Sequence, residues 1–209
     1  INRVYVDRVH VKKAFAEYTA AYNADYPKIK LKIDHTYRVA ALCERIAKAA
    51  GMCAYDVELA WLSGMLHDVG RFEQIKRYNT FSDADSVDHA KFGADLLFKD
   101  GLISTFLNGM VKCTGYKPGT LEDRYSSDGV FLYDRLNKSD MEMLELAIRC
   151  HNMYRIPQGL NSREQAFCNV LRDADKVDIF KVNIDTPLEE IYNTTTEELM
   201  KSDITDEVL

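Results

Sequence analysis

Nowhere does this chain hold an apolar run near the roughly 18 to 20 residues that a bilayer-spanning helix needs. Its opening, INRVYVDRVHVKK, also lacks the apolar core of a secretory signal. The expectation is a cytoplasmic protein with no membrane partner; the first residue is Ile and not Met, so any segment ahead of it lies outside this reading. The cysteines offer no disulfide frame. Cys43, Cys53, Cys113, Cys150 and Cys168 are odd in number, scattered and never spaced C-x-x-C, which argues for reduced thiols and against a zinc ribbon. Positive charge is also short: 27 Lys and Arg face 33 Asp and Glu, a formal net charge of -6, which argues against a broad basic surface for duplex nucleic acid. A small anionic substrate in a locally basic pocket stays compatible with that balance. No run alternates apolar and polar residues as a half-buried strand would, and there is no repeat or low-complexity tract.

What is present is helical periodicity, on a chain of 209 residues with 46% hydrophobic content, enough for one domain with a substantial core or at most two small ones. The expected fold class is all-α. An amphipathic pattern rich in alanine and aromatics runs from Arg8 to about Tyr22. A second helix is expected from near Asp34, with Val39, Leu42, Ile46 and Ala49 inward, until Gly51; a third runs from about Asp56 to Gly70 around Leu59, Leu62 and Leu66. Asp88 reads as the N-cap of a helix reaching Lys99, ahead of Gly101, with shorter helices near 102–109 and 129–137. Ser139 with Glu142 reads as a capping box for a helix reaching His151, and Ser162 begins one through Asp175. A weaker pattern over TPLEEIYN and TTTEELMKS closes the chain, with Pro187 at an N1 position. The polar stretch CTGYKPGTLEDRYSSDG, residues 113–129, is the one long interruption, a lid or a surface loop.

On these helices four of the five histidines face inward. His35 shares a face with Val39 and Leu42, His67 with Ala60, Ser63 and Gly64, His89 with Phe92, Gly93 and Leu96, and His151 with Leu144, Ala147 and Ile148. His10, beside Lys13 and Glu17, is expected in solvent. Asp175 faces inward with Cys168 and Leu171, and Asp68 adjoins His67. Taken singly, each histidine is most simply a hydrogen-bonded core residue. Jointly they leave two ionised carboxylates inside an apolar interface, a costly arrangement that a bound cation would relieve. Nitrogen and oxygen ligands of this kind suit Fe, Mn, Co, Ni or Zn, with Mg at a more oxygen-rich position.

The ordered set His35 in IDHTYRVA, His67 and Asp68 in MLHDVGRFEQ, His89 in SVDHAKFGADLL, His151 in AIRCHNMYRIP and Asp175 in LRDADKVDIF resembles the HD-domain superfamily of metal-dependent phosphohydrolases. The resemblance covers about residues 30 to 182. It implies a single-domain helical bundle: an N-terminal helix (1–29) on the core, the HD domain (30–182) with 113–129 as a loop insertion, and a C-terminal helical extension (183–209). It further implies that His35, His67, Asp68 and Asp175 hold one divalent ion, and that Asp68, His89 and His151 hold a second, with Asp68 bridging. The chain departs from the cyclic-dinucleotide phosphodiesterases in lacking their GYP segment and in carrying Arg71 where those have lysine.

Such a site activates water and neutralises phosphoryl oxygens, and needs nearby cations. The expected substrate is a small phosphoester, with nucleotides among the candidates. Asp68, Arg71 and Lys176 are the expected catalytic residues, and Arg38, Arg71, Lys91 and Arg155 the substrate-binding cations. Arg71 is favoured as the phosphate clamp because a guanidinium binds phosphate bidentately, against the reading of an ion pair with Glu73, Asp85 or Asp88. Asp88 is a helix cap or a support for His89, and Cys150 is core. Two alternatives stay open: a di-iron oxygenase, which the same six ligands also resemble, and a noncatalytic regulatory module. Oligomeric state is not legible.

Overall fold

A computed structural model describes residues 6–107, 136, 138–187, 189, 191 and 195–201 of the chain, and among these there is no strand. The helices are α1 (Arg8–Thr19), α2 (Pro27–Ala49), α3 (Ala54–Leu66), α4 (Val69–Tyr78), α5 (His89–Ala94, continued by a π-helical turn, Asp95–Lys99), α6 (Ile103–Leu107), α7 (Lys138–Cys150), α8 (Ser162–Asp185) and α9 (Thr196–Leu199). The fold is all-α, as the periodicity predicts, and single-domain, as the resemblance implies. Among the described residues no helix is long and apolar enough to cross a membrane.

Two backbone contacts at glycine set how the central helices meet. On α3, a Cβ on Gly64 would lie 2.6 Å from the Ala40 Cα, so α2 and α3 cross with their main chains nearly touching. On α4, a Cβ on Gly70 would lie 2.5 Å from the His89 carbonyl oxygen and 2.7 Å from the Gly93 nitrogen. Gly70 is thus not the helix stop that its position suggests; it is the point where α4 presses on α5. Gly70→Ala is expected to cost about 3 kcal/mol through overpacking. In a domain of this size that lowers the melting temperature by about 6 to 12 °C, measurable by calorimetry.

The hydrophobic core runs between α2, α3, α7 and α8, and α1 closes one side: Phe15 packs edge-on against Tyr37 and Phe72, with ring centroids 5.5 and 5.9 Å apart. The Tyr18 hydroxyl donates to the Val69 carbonyl at 2.9 Å, tying α1 to the start of α4.

Several expected boundaries move. Helix α2 starts at Pro27, two turns before Asp34, because proline at the first helical position needs no N–H partner. The third expected helix is broken in two: α3 ends at Leu66 and α4 begins at Val69, with Asp68 at φ -106 and ψ 15 between them. Helix α8 is capped by Asn161, whose box with Glu164 precedes Ser162, and it continues ten residues past Asp175 to Asp185. Ser139 lies inside α7 and so is not its N-cap. Thr195, with Glu198, caps the short α9. His10 is half-buried, its Nε2 3.1 Å from the Thr105 carbonyl, where an exposed residue was expected. The loop over 113–129 and, apart from Leu136, the helix expected over 129–137 lie outside the described residues.

Candidate metal centre

Five elements deliver the six expected ligands to one buried centre. Lys32, His35 and Arg38 recur at intervals of three along α2, so they share a face. His67 caps the end of α3, and the departure of the chain from helical geometry at Asp68 turns both neighbours inward. His89 opens α5 behind its Asp88 cap, His151 follows the last residue of α7, and Asp175 and Asp178 sit one turn apart on α8. All four histidines are at most 4% exposed, and Asp68 is 2% exposed.

Each imidazole is oriented by an oxygen behind it. His67 Nδ1 lies 2.8 Å from the Gly64 carbonyl and His151 Nδ1 2.7 Å from the Ile148 carbonyl. A carbonyl can only accept, so these Nδ1 atoms carry the proton. His35 Nδ1 donates to Asp178 at 2.6 Å, and His89 Nδ1 to Asp83 at 2.6 Å. The four Nε2 atoms therefore face the centre with their lone pairs. His35 and His67 Nε2 are 3.3 Å apart, and His89 and His151 Nε2 3.1 Å apart. Lone pairs converging at that range repel unless a cation or a proton lies between them.

Asp68 lies between the two pairs. Its Oδ2 is 3.5 Å from His35 Nε2 and 3.4 Å from His67 Nε2; its Oδ1 is 3.6 Å from His89 Nε2 and 3.8 Å from His151 Nε2. That Oδ1 is buried and finds no hydrogen-bond donor among the described residues. Asp175 Oδ1 stands 3.1 Å from His35 Nε2 and 3.8 Å from His67 Nε2. The donor set fits divalent transition metal: ligand atoms of His35, His67 and Asp175 converge, as do those of His67, Asp68 and His151, and Asp68 also faces His35 and His89.

The electrostatics agree with that reading. Burial favours a neutral Asp68, yet the Lys32 ammonium and His67 hold its carboxyl well below the usual range. Burial likewise opposes ionisation of Asp175, but its contact with His35 Nε2, a hydrogen bond whenever that nitrogen carries a proton, and the positive charge that His67 can carry hold it well below the usual range. Burial, with His89 and His67 as neighbours, pushes His151 down to about 3, so it is neutral and able to ligate at physiological pH. Burial also favours the neutral ring at His67, but the Asp68 and Asp175 charges outweigh it and raise its pKa. The field that draws a proton to His67 is the field that draws a metal ion.

The remaining expected residues divide. Arg71 donates through Nη1 to Gln74, the Phe81 carbonyl and Asp83 at 2.7, 2.6 and 2.9 Å, so its ion-pair partner is Asp83 and not Glu73, Asp85 or Asp88. Its Nε is buried without a hydrogen-bond partner, 3.8 Å from Asp68 Oδ1. Arg38 binds Asp178 at 2.7 and 3.0 Å and so stands behind His35. Lys176 pairs with Asp175 Oδ2 at 2.9 Å. Lys91 is exposed and paired with Asp88, and Arg155 is exposed beside the Tyr154 ring; neither lines the cavity described below. Asp88 caps α5, accepting from the Lys91 backbone N–H at 3.1 Å, and also accepts from Asn152. Cys150 and Cys168 are buried, as expected of core thiols.

Three contributors are not among the residues expected from the sequence. Lys32 Nζ donates to Asp68 Oδ2 at 2.7 Å, Asp178 orients His35, and Asp83 joins His89 to Arg71. Asp83 also groups with Asp88 and His89 at ligand-like distances, but its oxygens already serve Arg71, Gln74 and His89, which makes it a support. Asp83→Ala is expected to weaken metal binding by about 10- to 100-fold at the His89–His151 position and to leave the other position intact. Asp83→Asn, keeping one acceptor oxygen, should fall between the two in a metal titration.

A cavity of about 420 Å³ opens beside the centre, lined by Lys32, His35, Arg71 and Phe81 together with residues from the distal end of α8.

The sequence matches the HD domain family over residues 33–183. The chain belongs to the HD-domain family. Neither curated proteins nor solved structures gave a significant match to it. The HD match runs from two residues before His35 to eight beyond Asp175, so every candidate ligand lies within it. HD domains are commonly metal-dependent hydrolases, and the His and Asp groups of this chain could hold the metal that such chemistry uses.

Proposed function

We propose that this HD domain is a phosphohydrolase that cleaves a small phosphoester at a dinuclear centre held by His35, His67, Asp68, His89, His151 and Asp175. The observation that carries the reading is the placement of Asp68, one oxygen toward each histidine pair, with Lys32 and Arg71 on the cavity side. When bound, the two ions supply Lewis acidity toward the phosphoryl group and a water that is nucleophilic near neutral pH.

The chain's own residues supply the rest. Lys32 and Arg71 present positive charge to phosphoryl oxygens as charge builds on them. Phe81 holds the two cations in place: its ring centre is 5.4 Å from Lys32 Nζ and 5.6 Å from the Arg71 guanidinium carbon. Asp178 and Asp83 fix the tautomers of His35 and His89, and Arg38 in turn fixes Asp178. Lys176 offsets the charge of Asp175.

The paired cations at the cavity favour phosphoryl transfer over oxygen chemistry at the same ligands. The test is phosphate release from a panel of phosphomonoesters and diesters with Mn, Co, Ni, Mg or Fe restored to the stripped protein. Metal-dependent release of phosphate is expected. Two bound irons with oxygen consumption and no phosphate release would replace this reading with the oxygenase, and bound metal without turnover of any kind would replace it with the regulatory module.

A further inference from the structure

The ligand-bearing faces of α2 and α8 both continue past the metal centre. On α2, Leu31 and Lys32 precede His35 by four and three residues, and on α8, Ile179 and Val182 follow Asp175 by four and seven. Helical spacing keeps these residues on the ligand stripes, so the two continuations face the same cavity. Its character changes along its length. At the metal end stand Lys32 and Arg71 against the Phe81 ring; the rest of the described lining is mostly apolar by exposed area, from Leu31, Ile179 and Val182, and its polar members are Thr80, Ser82 and Asn183.

Two cations at one end match one dianionic phosphoryl group. A diphosphate or triphosphate would place further charges against the apolar wall, where an unpaired ionised group is strongly disfavoured. A sugar phosphate would set most of its hydroxyls against aliphatic side chains, where they lose hydration, with only Thr80, Ser82 and Asn183 as polar neighbours.

We propose that the substrate is a phosphomonoester of a compact apolar alcohol or phenol. Its phosphoryl group sits between Lys32 and Arg71, and its organic group lies against Leu31, Ile179 and Val182. This deepens the hydrolase reading and rests on it. In the reaction a bond forms from the water oxygen to phosphorus, the ester P–O bond breaks, and one water proton ends on the departing alcohol or phenol. No oxidant or reductant is required.

The experiment compares phenyl phosphate with glycerol 3-phosphate in turnover, and phenylphosphonate with methylphosphonate in calorimetric binding, using metal-loaded wild type and Ile179→Ser. Ile179 is only half-buried, so the variant should fold, which a melting curve checks. The expected result is at least about tenfold higher kcat/KM for the phenyl ester, with a matching preference for phenylphosphonate. In Ile179→Ser both preferences should shrink about tenfold, through the KM of phenyl phosphate and the Kd of phenylphosphonate. Equal handling of both esters, or a preference that Ile179→Ser leaves unmoved, overturns the substrate class while the hydrolase stands. Preferential phenylphosphonate binding without hydrolysis of any ester supports the pocket and overturns the hydrolase.

Discussion

Asp68→Ala is expected to remove metal from both positions and to abolish turnover. One carboxylate faces both histidine pairs, with Oδ2 near His35 and His67 and Oδ1 near His89 and His151. Its loss takes a ligand from each position, whereas loss of Asp175, which faces His35 and His67, takes one only from the first. The activity lost should exceed the roughly 10² to 10³ that a single transition-state contact supplies, because the whole electrostatic frame departs with the ions. Stability should report the same event. Metal at about 1,000 times its Kd stabilises the wild type by about 4 kcal/mol, and the variant should show no such gain in melting temperature. A variant that still binds metal and turns over would remove Asp68 from the centre.

Arg71→Ala is expected to lower kcat/KM by about 10² to 10³ and to retain metal at the His35–His67 position. The Arg71 side chain lines the cavity and stands 14% exposed, while its Nε is buried 3.8 Å from Asp68 Oδ1. Arg71→Lys restores the charge but not the planar fork, so it should recover only part of the loss. Arg71 also holds Asp83, which holds His89. The metal measurement therefore separates its roles: loss of the second ion in Arg71→Ala would make the arginine chiefly a support for His89, and retention of both ions assigns it to the substrate.

The contrast between what the sequence revealed and what it did not follows from how each residue reaches the centre. His35, His89 and Asp175 lie on regular helical stripes, where spacing alone predicts the inward face, and His151, one residue past the end of α7, continues the stripe of that helix. Asp178 lies three residues beyond Asp175 on the same stripe, so its inward position was equally available from the spacing. Lys32 was hidden by a helix start placed too late; Pro27, read as an N1 residue, would have exposed it. The break at His67 and Asp68 carries no proline or preceding glycine, and the glycine that follows looks like a stop while serving as a contact with α5. Asp83 had no local signal, since its partners Arg71 and His89 are brought to it by the packing of α4 on α5. The cations Lys91 and Arg155 adjoin ligands along the chain, yet their side chains reach solvent. Sequence adjacency selects neighbours, and helix direction decides which of them face the centre.

The most direct test of the central claim is the metal stoichiometry of the anaerobically purified protein, measured beside Asp175→Ala and Asp68→Ala. The proposed dinuclear centre, with Asp68 shared between the two histidine pairs, predicts about two ions per chain in the wild type, about one in Asp175→Ala and none in Asp68→Ala. A wild type that binds no metal tightly would contradict the account and make the four inward histidines ordinary core residues.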